Sequence, residues 1–557
     1  MSKYYFIFCC AQVFIAFTLQ AQNDSTNSSP TSISGQFIIE KEKEIVLPQA
    51  QKRFFPANSV TRKPDSLQLD FINFAPKLNW PTFKRFTPNI SFRPQYPRPT
   101  FQNYARIGVG NFASPLAELF YQRKLKDVAT KTLLFYERFG TGAVNEEESR
   151  SNQFLLDFQA SSRIMQNIKL DADLKFDHSG FDFFGNTNRD QEGFPLLANN
   201  SGRIQSLEIG SRAGFSSNSV FYHLEPRLNV VRQQFDQDRL NAETGFSLDG
   251  GFELKVDSSL QVGVKSTYQI AAYDGGTDYS RSLFQLIPNA RYAFRNFKFE
   301  TQLAIVNESN SSFRESNGSG VYPTLRIDYR KNPARTTTLK IGSGIDWNSL
   351  GQQLSENQFF DDSLLLQNTI SNFRIQAKYL VQDFENLDLQ FSAGYLIQEG
   401  LPLFIPSFSD SSKFAIAYDS GSIDTYEIGV RLNYRRNSDQ LIFADLTYRI
   451  FETETIDRAW HLPRFDLKAG WYQRVASKLT LRLDAIVLAG IAAPVATGFG
   501  REELDPVFDL AFGMDYQLSE RFSSFFNLNN LFNQNYERHI GYPVRDLSFK
   551  IGAQYRF

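Results

Sequence analysis

Ile168-Lys-Leu-Asp-Ala-Asp-Leu-Lys-Phe-Asp177 decides the fold. Ile168, Leu170, Ala172, Leu174 and Phe176 alternate with Lys169, Asp171, Asp173, Lys175 and Asp177, and a period of two puts one face of a strand in an apolar medium and the other in water. The same rhythm returns at Phe246, Leu248, Gly250, Phe252, Leu254 and Val256, at Ile442, Ala444, Leu446, Tyr448 and Ile450, and at Leu479, Leu481, Leu483, Ala485 and Val487. The pattern therefore runs through the chain from about residue 101 onward.

The connections alternate too. Short polar turns are expected at Ser216–Ser219, Asp257–Ser259, Arg295–Asn296, Lys331–Arg335, Gln382–Asn386, Asn437–Gln440, Val475–Lys478 and Gln517–Glu520. Between them lie longer polar stretches, such as Gly185–Gly202, Asn307–Gly318, Ser349–Asp362 and Gly400–Ser420. Short turns on one rim and long loops on the other is the layout of a transmembrane β-barrel. Hairpins counted this way predict an all-β, antiparallel barrel of about 22 strands between Asn103 and Phe557, with about 20 as the fallback. A soluble β-sandwich array or propeller is the competing fold, but it would show blade repeats and more even loops.

Composition agrees with a barrel. Phe and Tyr number 54 and 24 while charged residues reach only 21%, which suits pleated, half-buried surfaces. A formal charge of −1 lacks the basic footprint of a nucleic-acid binder. Lys3, the apolar run Tyr4–Leu19 and the small residue Ala21 read as a signal peptide over residues 1–21, implying secretion. Both cysteines, Cys9 and Cys10, fall inside it, so the mature chain is expected to have no thiol chemistry.

Residues 22–100 differ in kind. Pro48, Pro56, Pro64, Pro76, Pro81, Pro88, Pro94, Pro97 and Pro99 oppose helix and ladder pairing, so this segment is expected to be an extended periplasmic or lumenal arm. Trp80, Phe83, Phe86, Phe92 and Tyr96 could stack on lumen walls, and Lys84, Arg85, Arg93 and Arg98 could pair with inward carboxylates such as Asp171 and Asp173. A solvated periplasmic tether is the alternative.

The chain ends with Phe549, Ile551, Ala553, Tyr555 and Phe557 alternating with polar residues. A terminal aromatic on an amphipathic last strand resembles the signal by which the barrel-assembly machinery recognises outer-membrane proteins. Before it stand Asn530, Leu531, Phe532, Asn533, Gln534, Asn535 and Tyr536, then Gly541, Tyr542, Pro543 and Arg545. This run resembles the end of the barrel in TonB-dependent receptors, with its Asn-Leu-Phe-Asp/Asn-x-x-Tyr step. The resemblance covers about the last 40 residues in motif and the preceding 400 in pattern. It implies an outer-membrane barrel of about 22 strands, in contact with outer-membrane lipid and lipopolysaccharide.

The family also carries a globular plug and a short apolar box that touches TonB. Fewer than 80 residues lie between the signal and the barrel, too few for a complete plug. Glu44, Ile45, Val46 and Leu47 are the nearest counterpart of the box, so energised transport by this chain alone is not implied. Two functions remain open: passage of a solute or polymer, alone or with a separate lid partner, and a scaffold role in an outer-membrane assembly or secretion complex.

Other motifs reduce to structure. Gly108, Gly110 and Ala113 mimic a dinucleotide fingerprint, but Asn111, Ser114 and Pro115 read as a turn into another strand. Asn186, Asn188, Asp190 and Glu192 lack the late bidentate Glu of a calcium loop. His178, His223, His461 and His539 show no paired spacing, so no catalytic, cofactor or metal constellation is expected. Leu401, Leu403, Phe404, Ile405 and Phe408 form an unusually apolar long loop, expected either to pack into the mouth or to dock a partner.

Overall fold

The computed structural model describes residues 103–557 apart from 144–148, 186–200, 236–239, 313–317, 333, 363, 385, 409, 411, 437–438 and 495–499. The signal segment, the arm with its aromatic and basic residues, the Glu44–Leu47 stretch and the Asn186–Glu192 loop lie outside these residues.

Twenty-two strands form one sheet. Each barrel strand pairs antiparallel with the next, and the first, Tyr104–Gly110, pairs with the last, Ser548–Arg556, from Tyr104 opposite Arg556 to Gly110 opposite Lys550. That seam closes the barrel, which leaves no strand edge unpaired. The expected 22 strands are all present, and the glycine-rich segment at Gly108 is the first hairpin, joining Tyr104–Gly110 to Leu116–Leu125. No helix among the described residues is long and apolar enough to cross a membrane.

A typical strand such as Ser151–Met165 has 15 residues, about 50 Å at the usual rise, which exceeds an apolar band about 25 Å tall even when tilted. Alternation then sorts the faces. Phe154, Phe158, Leu170, Ile209, Phe246, Ile270, Phe284, Ile305, Tyr448 and Ile450 are exposed on the outer face, whereas Leu155, Leu283 and Val306 point inward and are buried.

The rims differ as expected. Short turns such as Asp257–Ser259 are made locally, the Asp257 carboxylate accepting from the backbone N–H of Ser259 at 2.7 Å and of Leu260 at 2.9 Å. In such tight turns Lys126, Arg295 and Asn386 adopt φ of 51°, 52° and 66°. The opposite rim carries the long loops, and three of them contain ordered pieces that periodicity did not show, among them the pairing of Ala492–Pro494 with Arg501–Glu503. Another is a short helix, Leu350–Glu356, capped by the Ser349 hydroxyl, and the third a hairpin of Leu403–Pro406 with Phe414–Ala417.

Candidate functional site: the capped mouth and the lumen

The long loops turn inward and share one apolar core. Phe181, Phe183 and Phe184 meet Phe359, Phe360, Leu364 and Leu366, then Phe404 and Phe414, then Ile491 and Leu504, then Tyr536, Ile540 and Tyr542. These side chains hang from strands on opposite sides of the ring, so the loops must cross the opening. Tyr542 stacks on Phe359 with ring centroids 3.6 Å apart, and Phe360 meets Phe404 edge-on at 5.3 Å. The apolar loop anticipated from sequence thus packs into the mouth through Leu403 and Phe404, while Phe408 stands 93% exposed.

Polar residues at the strand ends hold the 347–368 loop in place. Gln233 Nε2 donates to the Gln358 carbonyl at 2.9 Å, Asn241 Nδ2 to Asp361 at 2.6 Å, and Asn310 Nδ2 to Leu366 at 3.1 Å. The Tyr279 hydroxyl accepts from the Leu366 N–H at 3.0 Å, and the Glu243 carboxylate from Leu350 N–H at 3.1 Å. Arg281, 3.1 Å from Glu243, also donates to the Asn348 carbonyl and lies over the Trp347 ring. Buried loop backbone must find partners, and here barrel side chains supply them. A second clasp joins two neighbouring loops: Asp419 accepts from the backbone N–H groups of Gly421, Glu454 and Thr455.

Two of the four histidines considered separately in the sequence come together in this cap. The rings of His461 and His539 lie 5.3 Å apart, both buried. His461 Nδ1 is 2.8 Å from the Phe404 carbonyl and His539 Nε2 3.2 Å from that of Glu356, so the pair ties four loops together. Burial, with Arg538 nearby, pushes the His461 imidazole down to about 4. Burial, then His461 and Arg538, holds His539 well below the usual histidine range. Both are therefore neutral at pH 7, and the cap core carries no imidazolium.

The C-terminal motif closes the seam beside this cap. Asn530, at φ 50°, and Asn533, at φ 52°, make the turn. Asn530 Nδ2 donates to the carbonyls of Gln534 and Arg545, and the Asp509 carboxylate accepts from Asn530 N–H at 3.1 Å and the Tyr536 hydroxyl at 2.8 Å. Leu531 and Phe532 are left pointing outward, Phe532 against Phe508. Pro543 bridges to Glu537. Arg545, 1% exposed, donates to the Ser149 carbonyl and the Ser151 hydroxyl at 3.0 Å and lies over Phe139, fastening the last loop to an early one. On the final strand Phe549, Ile551 and Phe557 face outward, Ala553 shares their face, and Tyr555 packs against Phe522 and Phe557.

Below the cap the inner wall is polar. Arg431 pairs with Asp445 at 2.6 Å, Arg449 with Glu427 at 2.8 Å, and Arg291 reaches both Glu253 and Glu300 at 3.1 Å. Gln376, Lys378, Gln390, Glu427, Arg431 and Asp445 help line a cavity of about 300 Å³ on this wall. Asp171 and Asp173 belong to the same inward face, alternating with outward Leu170 and Ala172. Such a wall suits hydrated or hydrogen-bonding cargo.

No family model and no curated protein matches the sequence. Solved structures do match the fold. The ferric-catecholate import receptor Fiu from E. coli K12, in its closed form, aligns at a TM-score of 0.62 and 10% identity over 83% of this chain and 82% of its own. The FrpB iron transporter from Neisseria meningitidis (F3-3 variant) aligns at 0.64 and 7% identity over 83% and 82%, and the siderophore receptor PirA from Pseudomonas aeruginosa at 0.58 and 10% over 83% and 81%. At these identities the likeness is one of architecture, and the architecture of this chain is the closed 22-strand barrel of the TonB-dependent receptor type.

Proposed function

We propose that this chain is a non-enzymatic barrel of the bacterial outer membrane that passes a solute or polymer, with its own outer loops as the gate. The observation that carries this reading is the single apolar core shared by loops from all round the mouth. A scaffold barrel needs no polar lumen beneath a cap, whereas a conduit needs both a wet path and a closure. The cap also has the composition of a two-state element: a modest apolar core held by separable hydrogen bonds, on loops rather than on strands. The three receptors aligned above, named for iron or siderophore uptake, favour import of a scarce solute. The Pro-rich arm expected from sequence at residues 22–100 lies outside the described residues, and deleting it tests whether it adds to the closure.

Planar-bilayer conductance tests this directly. Phe360 is wholly buried in the cap, and Phe360→Asp places a carboxylate there at a cost of several kcal/mol, each 1.4 kcal/mol shifting the closed-to-open ratio about tenfold. The expected result is a rise in open-channel events, largest when residues 23–99 are also deleted. A double variant that folds and still conducts nothing would remove the conduit reading and leave the scaffold.

A further inference from the structure

The outer wall carries a basic arc at the level where the long loops begin. Register places Arg138 opposite Asn152, Asn152 opposite Gly180, and Gly180 opposite Arg203. One step lower, Phe154 stands opposite His178, His178 opposite Gln205, and Gln205 opposite Arg232. All three arginines are exposed. They alternate with the buried, inward-facing Phe139, Ile204 and Val231 and share the face of Tyr136 and Phe154, so they point away from the lumen.

Arginine is costly on a lipid-facing wall unless it lies at the interface, where the cost falls to about 0–1 kcal/mol. This row meets that condition, because directly below it the wall turns apolar through Leu156, Phe158, Leu207 and Ile209. In the lumen Arg227, Arg291, Arg431 and Arg449 all pair with carboxylates, but among the described residues Arg138, Arg203 and Arg232 form no ion pair. The same rim elsewhere is of opposite sign: Asp424 and Glu452 face outward directly across from each other. A basic arc is therefore a property of this quarter of the wall rather than of barrel rims in general.

We propose that this arc binds a phosphorylated glycolipid of the outer leaflet, the lipid A part of lipopolysaccharide, through its phosphates. Guanidinium forks match phosphate oxygens bidentately. Arg138 and Arg203 are three strand spacings apart, about 15 Å, a span suited to a disaccharide with a phosphate at each end. Asn152 and Gln205 between them offer amide donors for sugar hydroxyls, Gln205 Nε2 lying 3.4 Å from His178 Nδ1. Acyl chains would then run down over Phe154, Phe158 and Ile209.

The inference rests on the outer-membrane placement proposed above, so the two are tested apart: membrane fractionation scores the placement, and lipid retention by the purified full chain in detergent scores the arc. Native mass spectrometry with added deep-rough lipopolysaccharide should show bound lipid A on the unaltered protein. Retention should fall roughly 10- to 100-fold in a triple Arg138→Gln, Arg203→Gln, Arg232→Gln chain. A triple Arg→Lys chain should keep an intermediate share, and the pair Asp424→Asn, Glu452→Gln should retain lipid fully. Phosphatase-treated lipid A on the unaltered chain should be retained as poorly as native lipid A on the triple Gln variant, a comparison that needs no mutant to fold. Equal retention of treated and untreated lipid A, or displacement by phosphatidylglycerol or inorganic phosphate at matched concentration, would overturn the proposal.

Discussion

The two rims of the barrel are ends of the same strands, yet they are built by different physics. At the short-turn rim each connection satisfies itself: Asp257 bonds the backbone two and three residues on, and the Ser519 hydroxyl accepts from the Phe522 N–H at 3.1 Å. At the mouth local bonds are joined by many that reach across the chain. The Leu366 N–H is satisfied by Tyr279, 87 residues away, and the Asp361 carbonyl by Asn241, 120 residues away. A rim made of independent turns can lose one and keep the rest. A rim whose loops share a core responds as a unit, as a gate must.

Acidification should sharpen that difference most strongly. His461, ordinarily near 6.5, sits at about 4 in the cap, so the closed form refuses a proton that an opened loop accepts. Above pH 6.5 neither form is protonated and the histidines are neutral to closure. As pH falls from there toward 4, closure is progressively destabilised, by roughly 3 kcal/mol from His461 alone. His539, 5.3 Å away, acts in the same direction, and Arg538 adds like charge; Glu356 and Asp466 are the acidic groups acting on Arg538. Conductance and limited proteolysis of the loops should both rise across that window. In a His461→Gln, His539→Gln chain the pH dependence should flatten, and the short-turn rim should show no change in protease susceptibility over the same range.

A smaller effect is expected where the motif joins the seam. Tyr536→Phe removes the 2.8 Å bond to Asp509 and leaves a buried carboxylate one donor short, which costs about 1–3 kcal/mol. Detergent gels should show heat-modifiable migration lost at a lower temperature, with the barrel otherwise assembled. If Tyr536→Phe and the parent melt together, the motif serves assembly rather than stability.

The smallest change belongs to the turns. Asp257→Ala deletes a local acceptor, but the backbone amides it releases are exposed to water, so the loss should be about 1 kcal/mol or less. The melting temperature on the same gels should move less than for Tyr536→Phe, and single-channel conductance should be unchanged. A conductance change from this variant would show that the rims are coupled through the wall.

The sequence read alone determined the strand pattern, a number of about 22, the order of short and long connections and the amphipathic last strand, because these follow from a period of two and from turn chemistry, both local in the chain; that Ser548–Arg556 closes on Tyr104–Gly110 came from the structure. The motif could be located but not explained: Asn530 and Tyr536 converge on Asp509, whose part nothing in its own neighbourhood signals. Apolar density at Leu401, Leu403, Phe404, Ile405 and Phe408 signalled one loop that was not simply solvated, whereas Phe359 and Phe360 lay in a stretch that reads as polar and gave no such signal. Which loops meet, and that His461 faces His539 from 78 positions away in the chain, depended on ring closure bringing distant strand ends around one mouth. The basic arc is of the same kind, since Arg138, Arg203 and Arg232 become neighbours only once register is set. Local periodicity specifies a wall, whereas a cap or a lipid site arises from side chains that share no periodicity, and only the closed barrel decides which of them are adjacent.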